Sequence, residues 1–207
     1  MLRGRIPRPA LHARRLDMKV IVGLGNPGRE YEATRHNAGW WFIDHLARTW
    51  HFDAWKRDGE ALTVNGLIGT QRVKLVKPQT YMNLSGSVFR AYPRREGFDV
   101  AQDLLVIVDE VAIPCGEFRF RPFGSAGGHN GLKSVEAHLK TQKYPRLRIG
   151  VRSIDERRLG GDLADYVLNV MPRDERELVD AIFSRMVTAV EVWVKEGTDK
   201  AVSTMGR

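Results

Sequence analysis

The sequence predicts a single α/β domain in which a twisted mixed β-sheet is flanked by helices on both faces. Apolar runs of strand length, such as residues 18–24 and 103–110, alternate along the chain with segments whose apolar residues recur at helical spacing. A chain of 207 residues with 43% hydrophobic residues is long enough to enclose a sizeable core. Since the sequence contains neither internal repeats nor a linker, one α/β domain with a helix-covered mixed sheet follows.

The first part of the chain supplies a strand, a helix and a strand pair. Residues 18–24, MKVIVGL, form an apolar run that predicts a buried strand. In residues 36–51 the apolar side chains recur at helical spacing, which predicts a helix. Residues 60–69 and 71–78 have the composition of two strands, and Gly69 at their junction predicts the turn that joins them.

The middle of the chain adds a helix and two strands. Asn83 is suited to open a helix over residues 83–97, although this segment contains a glycine and a proline. Residues 103–110, DLLVIVDE, form a continuous apolar run that ends in acids, as is typical of a strand buried on both faces. Residues 116–122 alternate strictly, so we expect a strand with phenylalanines on one side and arginines on the other.

The last part of the chain contains a loop, two helices and a strand. Glycines dominate residues 124–131, which predicts a loop there and a helix directly after it. Residues 146–151, RLRIGV, predict a strand with alternating basic residues. Residues 172–197 form the clearest amphipathic pattern, with acids in the first turn and Gly197 as a stop, so we expect one long helix.

The formal charge of +8 suggests an anionic partner, but the charge is unevenly distributed. Residues 1–17 contain five arginines and one aspartate and show no sustained period. We expect them to be a basic N-terminal extension that is disordered or lies upstream of a true start at Met18. Residues 18–207 then form the folded domain.

Composition also excludes some classes of protein. No stretch approaches the roughly 20 consecutive apolar residues that span a bilayer, so we expect no membrane insertion. The single cysteine, Cys115, excludes an intramolecular disulfide and a cysteine-based metal site, and we expect it to be structural. A reducing, cytoplasmic location is the natural expectation for such a chain.

A G-x-G-x-x-G string at Gly23, Gly25 and Gly28 follows the first strand, as a dinucleotide-binding loop would. In that fold the third glycine lies in the first helical turn, and an acid ends the next strand roughly 20 residues later. Here polar residues separate Gly28 from the predicted helix, and the acid near the required distance, Asp44, falls within that helix. The string is therefore interpreted as a tight turn rather than as the cofactor-binding loop of a nucleotide-dependent oxidoreductase.

Five polar residues occur at junctions that a sheet would bring together. His36 begins the first helix and Asp109 ends a buried strand. Each has an ordinary explanation, as a solvated histidine and as a carboxylate that caps a loop, but the carboxyl edge of an open α/β sheet is where ligands bind. Asn26, Asn83 and Asn130 occur at similar junctions, and neutral amides bind carbonyls and oxyanions. Together they predict a polar pocket without a metal.

Five segments, taken in order, resemble bacterial peptidyl-tRNA hydrolases. The similarity extends from Met18 to about Gly150, with a looser match through the C-terminal helix, and residues 1–17 lie outside it. Each segment alone is a weak signal, but five in order at compatible separations are strong evidence. The segments are GLGNPGREYEATRHNAG, KPQTYMNLSG, the DE pair at 109–110, GSAGGHNGLKS and RLRIG.

The resemblance implies hydrolysis of the ester that joins a peptide to the terminal ribose of tRNA. It implies that His36 is the general base and that Asp109 orients it, with water as the nucleophile and with neither a cofactor nor a metal. The positions that it assigns to substrate binding are Asn26, Tyr31, Tyr81, Met82, Asn83, His129 and Asn130. The basic residues that it assigns, directly or as neighbours, to the tRNA phosphates are Arg119, Arg121, Lys133, Arg146 and Arg148. A monomer is the family expectation.

The chain departs from the family pattern in two places. The family often carries a second acid three residues after Asp109, where this chain has Ala112. After RLRIG the family usually has a glycine-containing turn with a proline, whereas this chain has a different sequence over residues 151–165. Both changes leave the matched catalytic set intact, but they affect the loop over the substrate and the tRNA surface. A non-catalytic RNA-binding relative with the same fold is the main alternative, and the retention of His36 and Asp109 argues against it.

Overall fold

A seven-stranded mixed sheet forms the centre of the computed structural model, which describes residues 18–90, 96–159 and 161–205. Its strands are β1 (Met18–Gly23), β2 (Lys56–Asp58), β3 (Ala61–Ile68), β4 (Gln71–Pro78), β5 (Leu104–Pro114), β6 (Phe118–Arg121) and β7 (Arg146–Arg152). They lie in the order β2-β3-β4-β1-β5-β7-β6. The four strands β4, β1, β5 and β7 are mutually parallel, whereas β2, β3 and β6 are antiparallel to their neighbours. The predicted mixed sheet is therefore confirmed.

Helices cover both faces of the sheet, as predicted. They are α1 (Ala38–Thr49), α2 (Val100–Asp103), α3 (Asn130–Leu139), α4 (Leu163–Leu168), α5 (Arg173–Ala181), α6 (Phe183–Glu196) and α7 (Thr198–Met205). Helices α1, α5 and α6 pack on one face, whereas α3 and a 3-10 helix at Met82–Phe89 pack on the other. Among the described residues, none of the helices combines the length and the apolar character that crossing a bilayer requires.

The continuous apolar run of β5 is explained by burial on both faces. Leu105 and Ile107 belong to the core cluster on the α1 side, whereas Val106 and Val108 belong to the cluster on the α3 side. All four are at most 1% exposed. Because successive strand residues point to opposite faces, a strand between two helical layers has no polar alternation. Each such side chain contributes about 1.5–3 kcal/mol on burial, so this part of β5 is a rigid base for Asp109 and Glu110, which follow it in the strand.

Two of the three glycines of the G-x-G-x-x-G string allow the chain to pack closely against the start of α1, and the third forms a turn. A Cβ atom on Gly23 would lie 2.5 Å from the carbonyl oxygen of Gly39, and one on Gly25 would lie 2.6 Å from the ring of Trp40. The chain after β1 therefore lies directly against the start of α1. Of the three glycines, Gly28 has the positive φ, 117°, that makes the turn predicted for the whole string. Asp44 lies within α1 and forms an ion pair with Lys77, which agrees with the rejection of the dinucleotide-binding fold.

Three predicted elements differ from the structure. Residues 82–89 form a 3-10 helix rather than the start of an α-helix. Gly86 in this segment lies directly against α3, where an added Cβ would be 2.0 Å from the Ser134 carbonyl oxygen. The long helix predicted at 172–197 is interrupted at Ile182, and its two parts bury their apolar residues in the same cluster. The strand predicted at 103–110 continues to Pro114, and its pairing with β7 shifts in register between Glu110 and Pro114. Strand β2 and helices α2, α4 and α7 were not predicted. Residues 1–17 and 91–95, which belong to the predicted extension and helix, lie outside the described residues.

Candidate active site

A cavity of about 620 Å³ opens beyond the end of β1 and beside residues 109–111 of β5, and the predicted catalytic and substrate-binding residues line it. These residues are Asn26, Tyr31, His36, Tyr81, Met82, Asn83, Asp109, His129 and Asn130. They come from the segments that follow β1 and β4, from the middle of β5 and from the glycine-rich loop that leads into α3. Parallel neighbouring strands end at the same edge of the sheet, which explains why residues far apart in sequence meet there.

His36 and Asp109 form a buried pair on one side of this cavity. His36 lies in a 3-10 turn, Arg35–Asn37, directly before α1, and Asp109 lies in the middle of β5, two residues beyond the pairing of β5 with β1. Nδ1 of His36 lies 3.0 Å from each carboxylate oxygen of Asp109. Since an ionised carboxylate only accepts hydrogen bonds, Nδ1 carries the proton in this contact. Nε2 of neutral His36 therefore has a free lone pair.

His129 donates a second hydrogen bond to the same carboxylate. Its Nε2 lies 2.9 Å from Oδ1 of Asp109, and its Nδ1 accepts a hydrogen bond of 3.2 Å from the backbone N–H of Leu132. The Leu132 N–H thus selects the tautomer in which Nε2 of His129 bears the proton. The rings of His36 and His129 lie 4.9 Å apart at an angle of 49°. Asp109 therefore receives N–H donors from two imidazoles.

The contacts of this group shift the pKa values of Asp109 and His36. Burial by itself would raise the pKa of Asp109, but the charges of His36 and His129 and the hydrogen bonds from both rings hold that pKa well below its usual range. Burial by itself would lower the pKa of His36, but the charge of Asp109 and its hydrogen bond outweigh burial and raise the pKa above 6.5. Asp109 is therefore ionised at neutral pH, and its charge favours protonation of His36.

The same three side chains lie close enough to be considered as metal ligands. Among the described residues, their ligand atoms form a group within 4.8 Å of one another. Each ring nitrogen is directed at a carboxylate oxygen at 2.9–3.0 Å, which is a hydrogen-bond distance. A zinc site instead places nitrogen and oxygen ligands at about 2.0–2.2 Å from one shared ion. The spacing of the group is that of a proton-sharing network.

Asn26 is held by Asn37, a residue that the sequence analysis did not assign to the site. The side chain of Asn37 accepts a hydrogen bond of 2.8 Å from the backbone N–H of Asn26 and donates one of 3.0 Å to its carbonyl oxygen. Oδ1 of Asn26 accepts a hydrogen bond of 2.6 Å from the backbone N–H of Met82. This contact directs Nδ2 of Asn26, a donor, toward other partners in the cavity. The position of Asn37 next to His36 in TRHN is the signal that could have identified it.

Replacing Asn37 with alanine is expected to destabilise the protein, because both backbone polar groups of Asn26 lose their partner. Each unsatisfied buried group costs about 1–3 kcal/mol, so urea unfolding should show a lower free energy of unfolding by at least that amount. Asn65→Ala, at an exposed position of β3, is the matched control and should change it by less than about 0.5 kcal/mol. Equal effects of the two substitutions would show that Asn37 does not hold Asn26.

The remaining predicted substrate-binding residues form the mouth of the cavity. Asn83 and Asn130 are exposed and present their amides to it, whereas Met82 is buried. Tyr31 and Tyr81 meet edge to face, with ring centroids 6.3 Å apart. The mouth thus combines amide groups with aromatic surface.

Helix α4 forms a wall of the cavity that the sequence analysis missed. Leu163, Val167 and Leu168 line the cavity, and Asp162 caps the helix by accepting a hydrogen bond from the backbone N–H of Ala164. The wall lies in the segment 151–165 and just beyond it, where the sequence departs from the family pattern. An N-cap aspartate before a short apolar run was the available signal.

The predicted basic residues occupy two different environments. Arg119, Arg121 and Lys133 are exposed. Arg119 lies opposite Arg148 in the β6–β7 pairing, and Arg148 is partly exposed, forms an ion pair with Glu110 and donates to the Ser125 carbonyl oxygen. These four residues keep a cationic group at or near the surface.

Arg146 was predicted to lie on the same basic surface, and the structure corrects that placement. Its side chain is fully buried, and it donates to the carbonyl oxygens of Ser125 and Gln142. Its guanidinium also lies 4.2 Å from the ring centroid of Tyr144. Alternation along β7 places Arg146 on the expected face, but the loop before α3 and Tyr144 cover it. Arg146 therefore supports the glycine-rich loop.

Cys115 and Ala112, which the sequence also singles out, do not line the cavity. Burial raises the pKa of the Cys115 thiol to about 12, so this side chain remains a protonated thiol at neutral pH, in keeping with a structural role. Ala112, which stands where related proteins often carry an acid, is exposed and donates its backbone N–H to Glu110.

Comparisons with known proteins identify the family and agree with the fold. A family model described as Peptidyl-tRNA hydrolase matches residues 20–207. A peptidyl-tRNA hydrolase of Gemmatimonas aurantiaca is 68% identical over 190 residues, which cover 92% of this chain and 100% of that protein. The peptidyl-tRNA hydrolase of Brevibacillus brevis is 42% identical over 190 residues, covering 90% of this chain and 96% of that protein. A crystal structure of peptidyl-tRNA hydrolase from Acinetobacter baumannii matches with a TM-score of 0.80 at 31% identity, covering 93% of this chain and 96% of that one.

Proposed function

This chain belongs to the peptidyl-tRNA hydrolase family, and we propose that it hydrolyses the ester bond between peptide and tRNA with His36 as the general base. The observation that carries the assignment to His36 is its contact with Asp109, which places the proton on Nδ1 and leaves Nε2 free in a cavity. Water is the nucleophile, so the reaction requires neither a serine nor a cysteine. An activated ester attacked by water with general-base assistance requires no cofactor.

The reaction is a proton transfer coupled to attack on the ester carbonyl. Nε2 of His36 removes a proton from water, and the water oxygen forms a bond to the carbonyl carbon. The resulting tetrahedral intermediate collapses, the bond to the ribose oxygen breaks, and the imidazolium returns its proton to that oxygen. The products are a tRNA with a free terminal hydroxyl and a peptide with a new carboxyl group, which keeps the second proton of the water and releases it to solvent at neutral pH. General-base assistance of this kind typically contributes about 10²–10⁴ in rate.

Asp109 contributes by orienting and stabilising His36. Its carboxylate selects the tautomer with a free Nε2 and stabilises the imidazolium that forms during the reaction. The hydrogen bond from His129 holds the carboxylate from the other side, so Asp109 cannot rotate away without losing that donor. The carboxylate itself stays ionised throughout.

The amides of the cavity supply donors for the peptide and the oxyanion. Nδ2 of Asn26 is directed by the contact of Oδ1 with Met82, and the exposed amides of Asn83 and Asn130 lie at the mouth. A donor aimed at the developing oxyanion is worth about 2.7–4 kcal/mol. The aromatic and apolar surfaces of Tyr31, Tyr81 and the α4 wall would pack against the peptide, which is the less polar part of the substrate.

The exposed basic residues next to the cavity are proposed to receive the phosphates of the tRNA end. Arg119, Arg121 and Lys133 are the accessible members, and Arg148 reaches the same region while it pairs with Glu110. Phosphate contacts position a nucleic acid without reading its sequence. We propose that the protein acts as a monomer, as the resemblance to the family implies, and that it acts in the cytoplasm, where translation supplies its substrate.

Replacing Arg121 with alanine is expected to weaken tRNA binding and to flatten its dependence on salt. Loss of one phosphate contact should lower the slope of log K against log salt by about 1. Binding is measured by fluorescence anisotropy of labelled tRNA over a range of salt concentrations. Arg173→Ala removes an exposed arginine of α5, which packs on the other face of the sheet, and should leave the slope unchanged. A slope that Arg121→Ala leaves unchanged would place the phosphates elsewhere.

The proposed reaction is tested with purified protein and a peptidyl-tRNA whose peptide amine is blocked. The reaction is run in water enriched in ¹⁸O, and mass spectrometry locates the label. We expect intact tRNA and a peptide that carries one ¹⁸O atom in its new carboxylate, because water attacks the carbonyl carbon. Binding of tRNA without any turnover would instead identify a non-catalytic RNA-binding member of the fold.

A further inference from the structure

We infer that a buried ion pair between Arg35 and Glu175 positions His36 and fixes the position of the α4 wall relative to His36. This inference rests on the proposed function, because it concerns how the general base is held. Arg35 directly precedes His36 in the 3-10 turn, whereas Glu175 lies in the first turn of α5. The two are separated by 140 positions in sequence.

The ion pair is short and almost completely buried. Nη2 of Arg35 lies 2.7 Å from Oε2 of Glu175, and the two side chains are 4% and 0% exposed. The other oxygen of Glu175 accepts hydrogen bonds from the hydroxyl of Ser153, just after β7, and from Nη1 of Arg158 at 2.9 Å. Glu175 thus joins the turn that carries His36 to the segment that follows β7.

Arg35 also contacts the helix that forms the cavity wall. Its guanidinium carbon lies 4.3 Å from the centroid of the Tyr166 ring, in α4. The hydroxyl of Tyr166 donates to the carbonyl oxygen of Val151 and accepts from the backbone N–H of Ser153, both at 2.8 Å. Val167, the next residue of α4, lines the cavity. One guanidinium therefore contacts both the α5 carboxylate and the wall.

Backbone hydrogen bonds also join the segment before His36 to the segment that follows α4. Thr34 and Val170 form an isolated antiparallel bridge, and the backbone N–H of Met171 donates to the carbonyl oxygen of Ala33 at 2.9 Å. Nη1 of Arg35 donates to the carbonyl oxygen of Val170 at 3.4 Å. The chain that leaves α4 is thus bonded to the residues that lead into His36, and a shift of one moves the other.

A gain in folding stability does not by itself explain why the protein buries this ion pair. Removing two charges from water offsets most of their attraction, so replacing a buried ion pair with apolar residues is often neutral, and the best-attested benefit is a fixed arrangement. Next to a general base a fixed arrangement matters, because a displacement of about 1 Å can cost about 10² in rate. Arg35 and Glu175 are therefore positioning residues that act through His36.

The test compares Glu175→Gln with a matched control on the same helix. Glutamine keeps the shape of the side chain but removes the charge that holds Arg35. The control is Glu177→Gln, which removes an exposed partner of Arg173 from α5. For each variant, kcat, KM, the pH dependence of kcat/KM and the melting temperature are measured with the blocked peptidyl-tRNA. Arg35→Met combined with Glu175→Met provides a second variant that removes both charges and is expected to fold.

We expect kcat of Glu175→Gln, and of the double variant, to fall by about 10-fold to 100-fold. The groups that face His36 are Asp109 of β5 and His129 at the start of α3. If His36 moves away from Asp109, the apparent pKa of the acid limb of kcat/KM should fall toward the ordinary pKa of histidine. The Glu177→Gln control should match the wild type. A folded variant with wild-type kcat and an unmoved limb would overturn the inference. Absence of turnover by the wild type would contradict the proposed function instead.

Discussion

Replacement of His36 with alanine is expected to lower kcat/KM for peptidyl-tRNA by at least about 10², and by up to about 10⁴, because the reaction loses its general base. The affinity for tRNA should stay close to the wild-type value, since the proposed phosphate contacts belong to β6, to β7 and to the start of α3. Peptide release is measured with the blocked substrate under steady-state and single-turnover conditions. Single-turnover data separate the chemical step from product release.

The control for this experiment is His51→Asn. His51 is exposed just after α1, and its φ of 53° is tolerated by asparagine, so this change removes a histidine without strain. We expect wild-type turnover. A His36→Ala protein that binds tRNA and hydrolyses the ester within a few-fold of the wild-type rate would assign the base to another residue.

Asp109→Asn is expected to lower kcat by about 10²–10⁴, because a carboxamide no longer enforces the tautomer with a free Nε2 or stabilises the imidazolium. The same change should move the acid limb of kcat/KM to lower pH. Asp109 supplies the charge and the hydrogen bond that raise the pKa of His36, and without them the burial that lowers that pKa dominates. Rates are measured from pH 5 to pH 9 with the blocked substrate.

Asp180→Asn serves as the control, because Asp180 lies in α5 and pairs with Arg176 at the surface. It should leave both the rate and the acid limb unchanged. A slow Asp109→Asn variant with an unmoved limb would mean that Asp109 supports the fold of the site without acting on the His36 proton.

The parts of the fold that the sequence predicts are those governed by local pattern and by sheet geometry. Strand β5 was evident because a strand buried on both faces has no polar interruptions. The meeting of His36 and Asp109 followed from a general property of parallel sheets, whose strands end at a common edge. The glycine string was correctly separated from a dinucleotide-binding loop because Asp44 fell within a helix.

The features that escaped prediction depend on contacts between distant segments. Arg146 alternates with Arg148 along β7, and its burial is due to a loop and a tyrosine that pattern alone does not place over it. Strand β2 consists of three exposed charged residues that pair with β3, so it has no apolar signal. The contact between Arg35 and Glu175 joins segments 140 positions apart, and no local rule pairs them.

The most direct test of the central claim is the pH dependence of kcat/KM for the wild type and for His36→Ala, measured side by side. This quantity reports the ionisation of groups in the free enzyme. Since the pKa of His36 is raised above 6.5, and since only the neutral ring accepts a proton, wild-type activity should rise with pH through an apparent pKa above that value. The residual activity of His36→Ala should lack this limb. The same limb in His36→Ala, at the same pH, would show that another group removes the proton from water.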